Sequence, residues 1–272
     1  MNIGFWLFKS RNNILGRVWP NYAANMAKEL FLTPRRYPLK EWERLKEGEG
    51  ERVSIANGLS AIRWGKSNRK ILLVHGWESR GTQLSGFVNS LLEEGFQVIA
   101  LDGPAHGHSE GKQANPEKFS RAVSQAYREL GPFEGVVAHP MGGSALSLAL
   151  AEDIQCEKVV LISSPSSIVN VLQRFAGFIG LPKQTAQRFI EMVEGSVGRS
   201  AEKLNTALNL SRVSSDGLII HDRSDIEVPY EDALEISRYW PSAKLVTTDG
   251  YGHRAILRQP EVWQEVADFF RV

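Results

Sequence analysis

The chain has a single cysteine, Cys156, in 272 residues, so no internal disulfide can form and its fold cannot depend on one. That usage points to a reducing compartment, with Cys156 expected as a small, semi-buried residue. Charge of either sign is scarce in excess: 32 Lys and Arg face 31 Asp and Glu, a net of +1, and the basic residues are dispersed. Neither nucleic acid nor an acidic partner is implied. No apolar run approaches the roughly 18 residues of a membrane-spanning helix. The opening run Met1-Asn2-Ile3-Gly4-Phe5-Trp6-Leu7-Phe8-Lys9 has neither a basic leader nor a long apolar stretch, so no secretion signal is read and a cytoplasmic protein is expected. Phe5, Trp6, Leu7 and Phe8 are expected to pack a helix onto its own domain in preference to a membrane surface or a partner. Internal repeats and low-complexity segments are missing too.

What is present is a soluble globular composition, 42% hydrophobic and 23% charged, in a length that can bury one large core. Short β-branched and aliphatic runs alternate with helical patterns, which predicts an α/β fold: a mostly parallel twisted sheet with helices on both faces. Strands are expected at 70–75, 97–102, 135–139, 158–163, 217–221 and 243–247, preceded by an antiparallel edge at 53–56 and 61–64. Helices are expected at 81–94, 116–130, 141–152, 230–239 and 260–270, from apolar residues at helical spacing. Two segments interrupt this alternation. Residues 1–50 hold an amphipathic stretch at 21–32, a proline-bounded turn at 33–38 and a charged run at 40–51, which reads as an N-terminal helical extension. Residues 166–214 read as wholly helical, with Val169, Leu172, Phe175, Phe178, Phe189, Ile190, Met192 and Leu204 as apolar teeth. Inserted after a strand's carboxyl end, they would form a helical cap over a site in a core made of 51–165 and 215–272.

The run Val137-Ala138-His139-Pro140-Met141-Gly142-Gly143 has the outline of a G-x-S-x-G nucleophile elbow, a sharp strand-to-helix turn that lifts one side chain above a sheet. Its centre is proline. The ring fixes φ near roughly −65°, offers no ionisable atom and removes the backbone N–H. A relaxed turn is therefore expected at Pro140, with a shifted Met141 N–H. Taken alone, the run is better explained by a plain strand–proline–helix junction, since proline is favoured in the first turn of a helix.

Five separated signals, in order, resemble the α/β-hydrolase fold superfamily from about residue 52 to 272. Leu72-Leu73-Val74-His75-Gly76-Trp77 is similar to that family's strand and oxyanion turn. Asp102-Gly103-Pro104-Ala105-His106-Gly107-His108-Ser109 resembles its D-x-[RP]-G-x-G-x-S loop, and 138–143 lies where the elbow belongs. Ile219-Ile220-His221-Asp222-Arg223-Ser224-Asp225-Ile226-Glu227-Val228-Pro229 resembles its acid loop, where spacing to Val-Pro selects Asp225 over Asp222. Gly250-Tyr251-Gly252-His253 matches the loop that presents a catalytic histidine. The resemblance implies that the backbone N–H groups of Trp77 and Met141 are oxyanion donors, that Pro140 stands at the nucleophile position, and that His253 held by Asp225 is the base. A metal is not expected: His106, His108 and His139 come without a third ligand at workable spacing. No cofactor is called for.

Proline at position 140 excludes an acyl-enzyme there, and Ser144, one helical turn on, should point along its helix and not at a bound carbonyl. Three readings follow. The chain is related to carboxylic ester or amide hydrolases, with its nucleophile replaced and covalent acyl transfer impaired; or it is a non-catalytic pseudo-enzyme that binds a small apolar ligand under the cap; or His253 and Asp225 act as a base without serine. The cap's apolar teeth suggest a moderately hydrophobic small molecule.

Overall fold

The computed structural model describes residues 3–271; Met1 and Asn2 of the opening run, and Val272, lie outside the described residues. Among those residues the strands are β1 (Glu51–Ile55), β2 (Leu59–Trp64), β3 (Lys70–Val74), β4 (Gln97–Asp102), β5 (Gly135–Ala138), β6 (Lys158–Ile162), β7 (Asp216–Asp222) and β8 (Ala243–Thr248). They form one eight-stranded sheet in the order β1-β2-β4-β3-β5-β6-β7-β8. β2 is antiparallel to both β1 and β4, and every other pairing is parallel. The helices are α1 (Ile3–Val18), α2 (Pro20–Leu32), α3 (Glu41–Gly48), α4 (Gly86–Glu93), α5 (Pro116–Leu130), α6 (Met141–Glu152), α7 (Ile168–Ile179), α8 (Lys183–Val197), α9 (Thr206–Leu210), α10 (Tyr230–Tyr239), α11 (Gly252–Ala255) and α12 (Pro260–Arg271).

Parallel strands must be covered on both faces, and side chains alternate between them. Leu72, Val74, Val136, Ala138 and Leu161 join one core cluster with Phe119 and Val123 of α5, Leu146 of α6 and Ile236 of α10. Their neighbours Ile71, Leu73, Val137, Val160 and Ile162 join the opposite cluster with Phe87 and Leu91 of α4 and Val266 and Phe270 of α12. A third cluster lies off the sheet: Ala24 and Ala27 of α2, Leu172 and Ala176 of α7 and Phe189 and Val193 of α8 are buried together. The N-terminal helices therefore pack on the helices of 166–214.

Strand ends shift from the sequence expectation by one or two residues, and two segments read as continuous are divided. The helix at 81–94 is divided into a 3-10 turn at Gly81–Leu84 and α4. Asp102 Oδ1 takes the Gly81 N–H at 2.8 Å, which ties the first turn to the sheet. α4 then starts anew at Gly86, where a Cβ would lie 2.5 Å from the Trp263 indole of α12. The charged run at 40–51 also divides: α3 ends at Gly48, and Glu51 opens β1 opposite Arg63, with which it forms an ion pair at 2.7 Å.

Small residues set how closely α6 approaches the sheet. A Cβ on Gly142 would stand 2.5 Å from the Val74 carbonyl oxygen and 2.7 Å from that of His75, both rigid backbone. Gly142→Ala is expected to cost about 1–3 kcal/mol in urea unfolding. Gly195→Ala is the control: nothing lies within 4 Å of its Cβ position in α8, so alanine there should be neutral or stabilising by up to about 1 kcal/mol. Equal unfolding midpoints for the two variants would contradict the tight approach of α6 to β3.

Candidate active site

Neighbouring parallel strands end at the same edge of the sheet, so the turns leaving β3 and β5 meet there. The turn after β3 is His75-Gly76-Trp77, and a Cβ on Gly76 would lie 2.1 Å from Pro140 Cδ. Two imidazoles tie this turn to the loop after β4. His75 Nε2 accepts the Gly103 N–H at 2.9 Å, so its Nδ1–H donates to the Gly76 carbonyl at 2.7 Å. His106 Nε2 accepts the Glu78 N–H at 3.1 Å, and its Nδ1–H donates to the Pro104 carbonyl at 2.8 Å. Both roles need neutral rings. Burial pushes the His75 pKa down to about 4, and burial followed by the His75 charge takes His106 to about 3.

At the end of β5, Pro140 has φ −73° and ψ −39°, an ordinary right-handed conformation at the start of α6. The strained positive φ of an elbow is absent here. The Gly142 N–H donates to the His139 carbonyl at 3.2 Å, and those of Gly143 and Ser144 donate to the Pro140 carbonyl at 3.1 and 3.3 Å. Met141 is the first residue of α6, where the N–H is an orphan donor; neither it nor the Trp77 N–H finds a hydrogen-bond partner among the described residues. Ser144 is buried, and its hydroxyl accepts from Thr206 of α9 at 3.1 Å.

Asp222, which ends β7, and Asp225, which follows it, divide their work. Asp222 is a brace between loops: Oδ1 accepts the Ser224 and Gly252 N–H groups, each at 2.9 Å, and Oδ2 accepts the Thr248 hydroxyl at 2.7 Å and the Tyr251 N–H at 3.1 Å. Asp225 Oδ1 accepts the N–H groups of Glu227 and Val228, each at 2.9 Å, and leaves Oδ2 to accept His253 Nδ1–H at 2.7 Å. Burial raises the Asp225 carboxyl, but the hydrogen bond and charge of His253 outweigh it and hold the group below its ordinary value. His253 sits in α11, mostly buried, with Nε2 3.9 Å from Glu227 Oε2.

Two of the remaining histidines flank this pair, His221 with Nε2 3.6 Å from Asp225 Oδ2 and 2.9 Å from the Val228 carbonyl oxygen. His139 lies ring to ring with His253 at 4.8 Å and donates its Nε2–H to the His253 carbonyl at 3.1 Å. Burial, then the His253 charge, keeps its pKa well below the ordinary value. His108 faces Glu47 at 3.0 Å. No group of three His, Cys, Asp or Glu residues placed to hold a metal occurs among the described residues. Cys156 is buried, with Sγ 3.3 Å from the Lys158 carbonyl, and burial raises its pKa.

Sequence reading missed the roof over Trp77. Phe31 of α2 stacks on the Trp77 ring at 6.3 Å and meets Phe175 of α7 at 5.1 Å. Arg35 forks onto Glu78 with two contacts of 2.9 Å. The apolar stretch at 21–32 was a visible signal, but nothing in its spacing tied it to Trp77. Glu227, two residues beyond Asp225, was likewise unmarked.

Comparison with known proteins bears on these features. A model of the alpha/beta hydrolase family matches residues 71–268. Esterase Rv0045c of Mycobacterium tuberculosis is 32% identical over 137 residues, 48% of this chain, and this chain spans 42% of that esterase's length. The Pyrococcus furiosus esterase Pf2001 superposes with a TM-score of 0.67 at 22% identity, covering 88% of this chain and 97% of that one. A bromoperoxidase from Bacillus anthracis gives 0.60 at 18% identity, covering 81% and 99%. At such identities the solved structures show a shared fold alone.

The imidazole pair makes the turn pH-sensitive. Both folded pKa values, about 4 and about 3, lie below the roughly 6.5 of a free imidazole. The unfolded chain therefore binds protons first, and the stability these rings contribute is whole above about pH 6.5 and lost as pH falls through the folded values. Urea midpoints should fall between pH 7 and pH 4. His106→Gln, which keeps an acceptor for Glu78 without titrating, should flatten that fall; an unchanged slope would remove His106 from the account.

Proposed function

Because this chain belongs to the alpha/beta hydrolase family, we propose that it is an esterase-like relative of carboxylic ester or amide hydrolases in which Pro140 occupies the nucleophile position and covalent acyl transfer is impaired. The observation that carries this reading is the 2.7 Å contact of His253 Nδ1 with Asp225, beside an elbow that has no hydroxyl. The 32% identical stretch shared with an esterase supports the substrate class. Residues 166–214 act as the cap, with α1 and α2 of the N-terminal 1–50 extension packed on it, over a core of 51–165 and 215–272. The single buried thiol fits a reducing, cytoplasmic setting.

In this reading Asp225 holds the tautomer of His253 whose Nε2 lone pair is free. The N–H groups of Trp77 and Met141 would polarise a carbonyl oxygen placed between the two turns. With serine at 140, Oγ would attack the carbonyl carbon as its proton passes to His253 Nε2. The proton would then go to the departing alcohol or amine, and water would release the acid by the same route. With proline, no bond to the acyl carbon forms. Loss of a nucleophilic serine lowers turnover by about 10⁶ in a protease of the same chemistry. The aromatic roof of Phe31 and Phe175 over Trp77 favours a small, moderately hydrophobic molecule. One observation favours serine-free base catalysis as a second reading: Glu227 stands 3.9 Å from His253 Nε2, where it would stabilise the imidazolium formed on taking a proton from water.

The test is hydrolysis of p-nitrophenyl esters of short to medium acyl chains by wild type and Pro140→Ser side by side. The serine variant should exceed wild type by at least about 10³-fold, and His253→Ala should remove that gain. Wild-type turnover abolished by His253→Ala would establish the serine-free reading instead. If both proteins are folded and neither turns over, ligand-induced stabilisation would identify a non-catalytic binding protein.

A further inference from the structure

α1 is two-faced, and only one face is used by the fold. On the inner face Phe8 packs against the cluster of α7 and α8, and the Phe5 ring meets Phe178 of α7 at 4.9 Å. Asn12 donates to the Ile179 carbonyl at 2.9 Å, and the Gly16 carbonyl accepts from Thr185 of α8 at 2.7 Å. The outer face carries Leu7, Ile14 and Val18, spaced seven and four apart and therefore in line along the helix. These three, with Trp6, are 55–62% exposed. Trp19 at the junction with α2 is 61% exposed, and so is Phe178 beside Phe5. The expectation that all four residues of the Phe5–Phe8 run serve packing on the chain's own domain thus holds for Phe5 and Phe8 and fails for Trp6 and Leu7, because adjacent helical residues point about 100° apart.

The charge on α1 is as one-sided as its apolar residues. Lys9, Arg11 and Arg17 are its ionisable residues, with no Asp or Glu in the 16-residue helix, in a chain whose net charge is only +1. By helical periodicity Arg11 flanks the outer apolar line on the side of Phe8, with its guanidinium 5.4 Å from the Phe8 ring centre, and Arg17 flanks it on the opposite side, the side that carries Trp6 about three turns earlier. Cations interleaved with exposed tryptophan and leucine suit a helix that lies in the plane of an anionic lipid surface. They suit a second copy of this chain poorly, since in a two-fold contact through this face α1 would offer its own copy cations and no carboxylate to pair with them. No helix among the described residues is long and apolar enough to cross a membrane, so the contact would be peripheral.

We propose that the outer face of α1 docks this protein on an anionic bilayer surface, with Trp6, Leu7, Ile14, Val18 and Trp19 entering the headgroup region and Arg11 and Arg17 meeting lipid phosphates and carboxylates. α1 and α2 pack on α7 and α8, so the docked layer is also the layer that holds Phe31 over Trp77. Docking is independent of any hydrolytic step and is read without one.

The experiment is co-sedimentation of the full chain with phosphatidylcholine vesicles, alone and doped with phosphatidylserine. Wild type should pellet with the doped vesicles and be released by high salt. Leu7→Asp and Ile14→Asp, at exposed positions that leave the inner face intact, should each lower the bound fraction at least about tenfold. The pair Arg11→Glu and Arg17→Glu should abolish the preference for phosphatidylserine. Failure of wild type to pellet with either vesicle overturns the proposal, as does equal binding by the aspartate variants. Binding indifferent to phosphatidylserine overturns the anionic assignment. A dimer in sedimentation velocity that Leu7→Asp dissociates, without vesicle binding, would give the face to a second copy instead.

Discussion

The contact between Gly76 and Pro140 is the constraint on which the rest of the site depends. β3 and β5 are parallel neighbours, so their turns leave the sheet side by side, and they fit only because position 76 has no Cβ and Gly142 lets α6 approach the carbonyls of Val74 and His75. This approach sets the turn after β3 beside the start of α6. Proline fits the packing and offers no hydroxyl or thiol. Its ring fills the space beside Gly76, and its right-handed φ lets α6 begin without the strain a nucleophile elbow stores.

Around that spot the fold spends its ionisable groups on geometry. Asp222 uses both carboxylate oxygens to bind backbone and hydroxyl donors from the loops after β7 and β8, which leaves Asp225 to face His253. His75 and His106, kept neutral by burial, accept backbone N–H groups on the other side of the site. Asp222, Asp225, His75 and His106 are each biased by their surroundings to the protonation state that suits the hydrogen bonds they make. The result is a rigid frame around a position without a nucleophile.

The helices outside the sheet form a second layer with its own logic. α2, α7 and α8 share one buried cluster, and from it Phe31 reaches Trp77. α1 closes that cluster from outside with Phe8 and leaves its other side, apolar and cationic, to solvent. The residues that roof the site and those that face outward are thus one packed unit.

Much of this was legible in the amino-acid order. Alternating apolar runs and helical periodicities determined a mostly parallel sheet covered on both faces, because each pattern reflects local backbone geometry and needs no partner to be read. Pro140 by itself determined that no side chain at position 140 can attack a carbonyl, since that is a matter of covalent structure. Tertiary structure decided the rest. It made Asp222 the brace between segments more than 20 residues apart; it set Phe31 on Trp77; and it chose which side of α1 is buried. Those outcomes depend on strand order and on how helices from distant parts of the chain pack, and neither is encoded in the spacing of neighbouring residues.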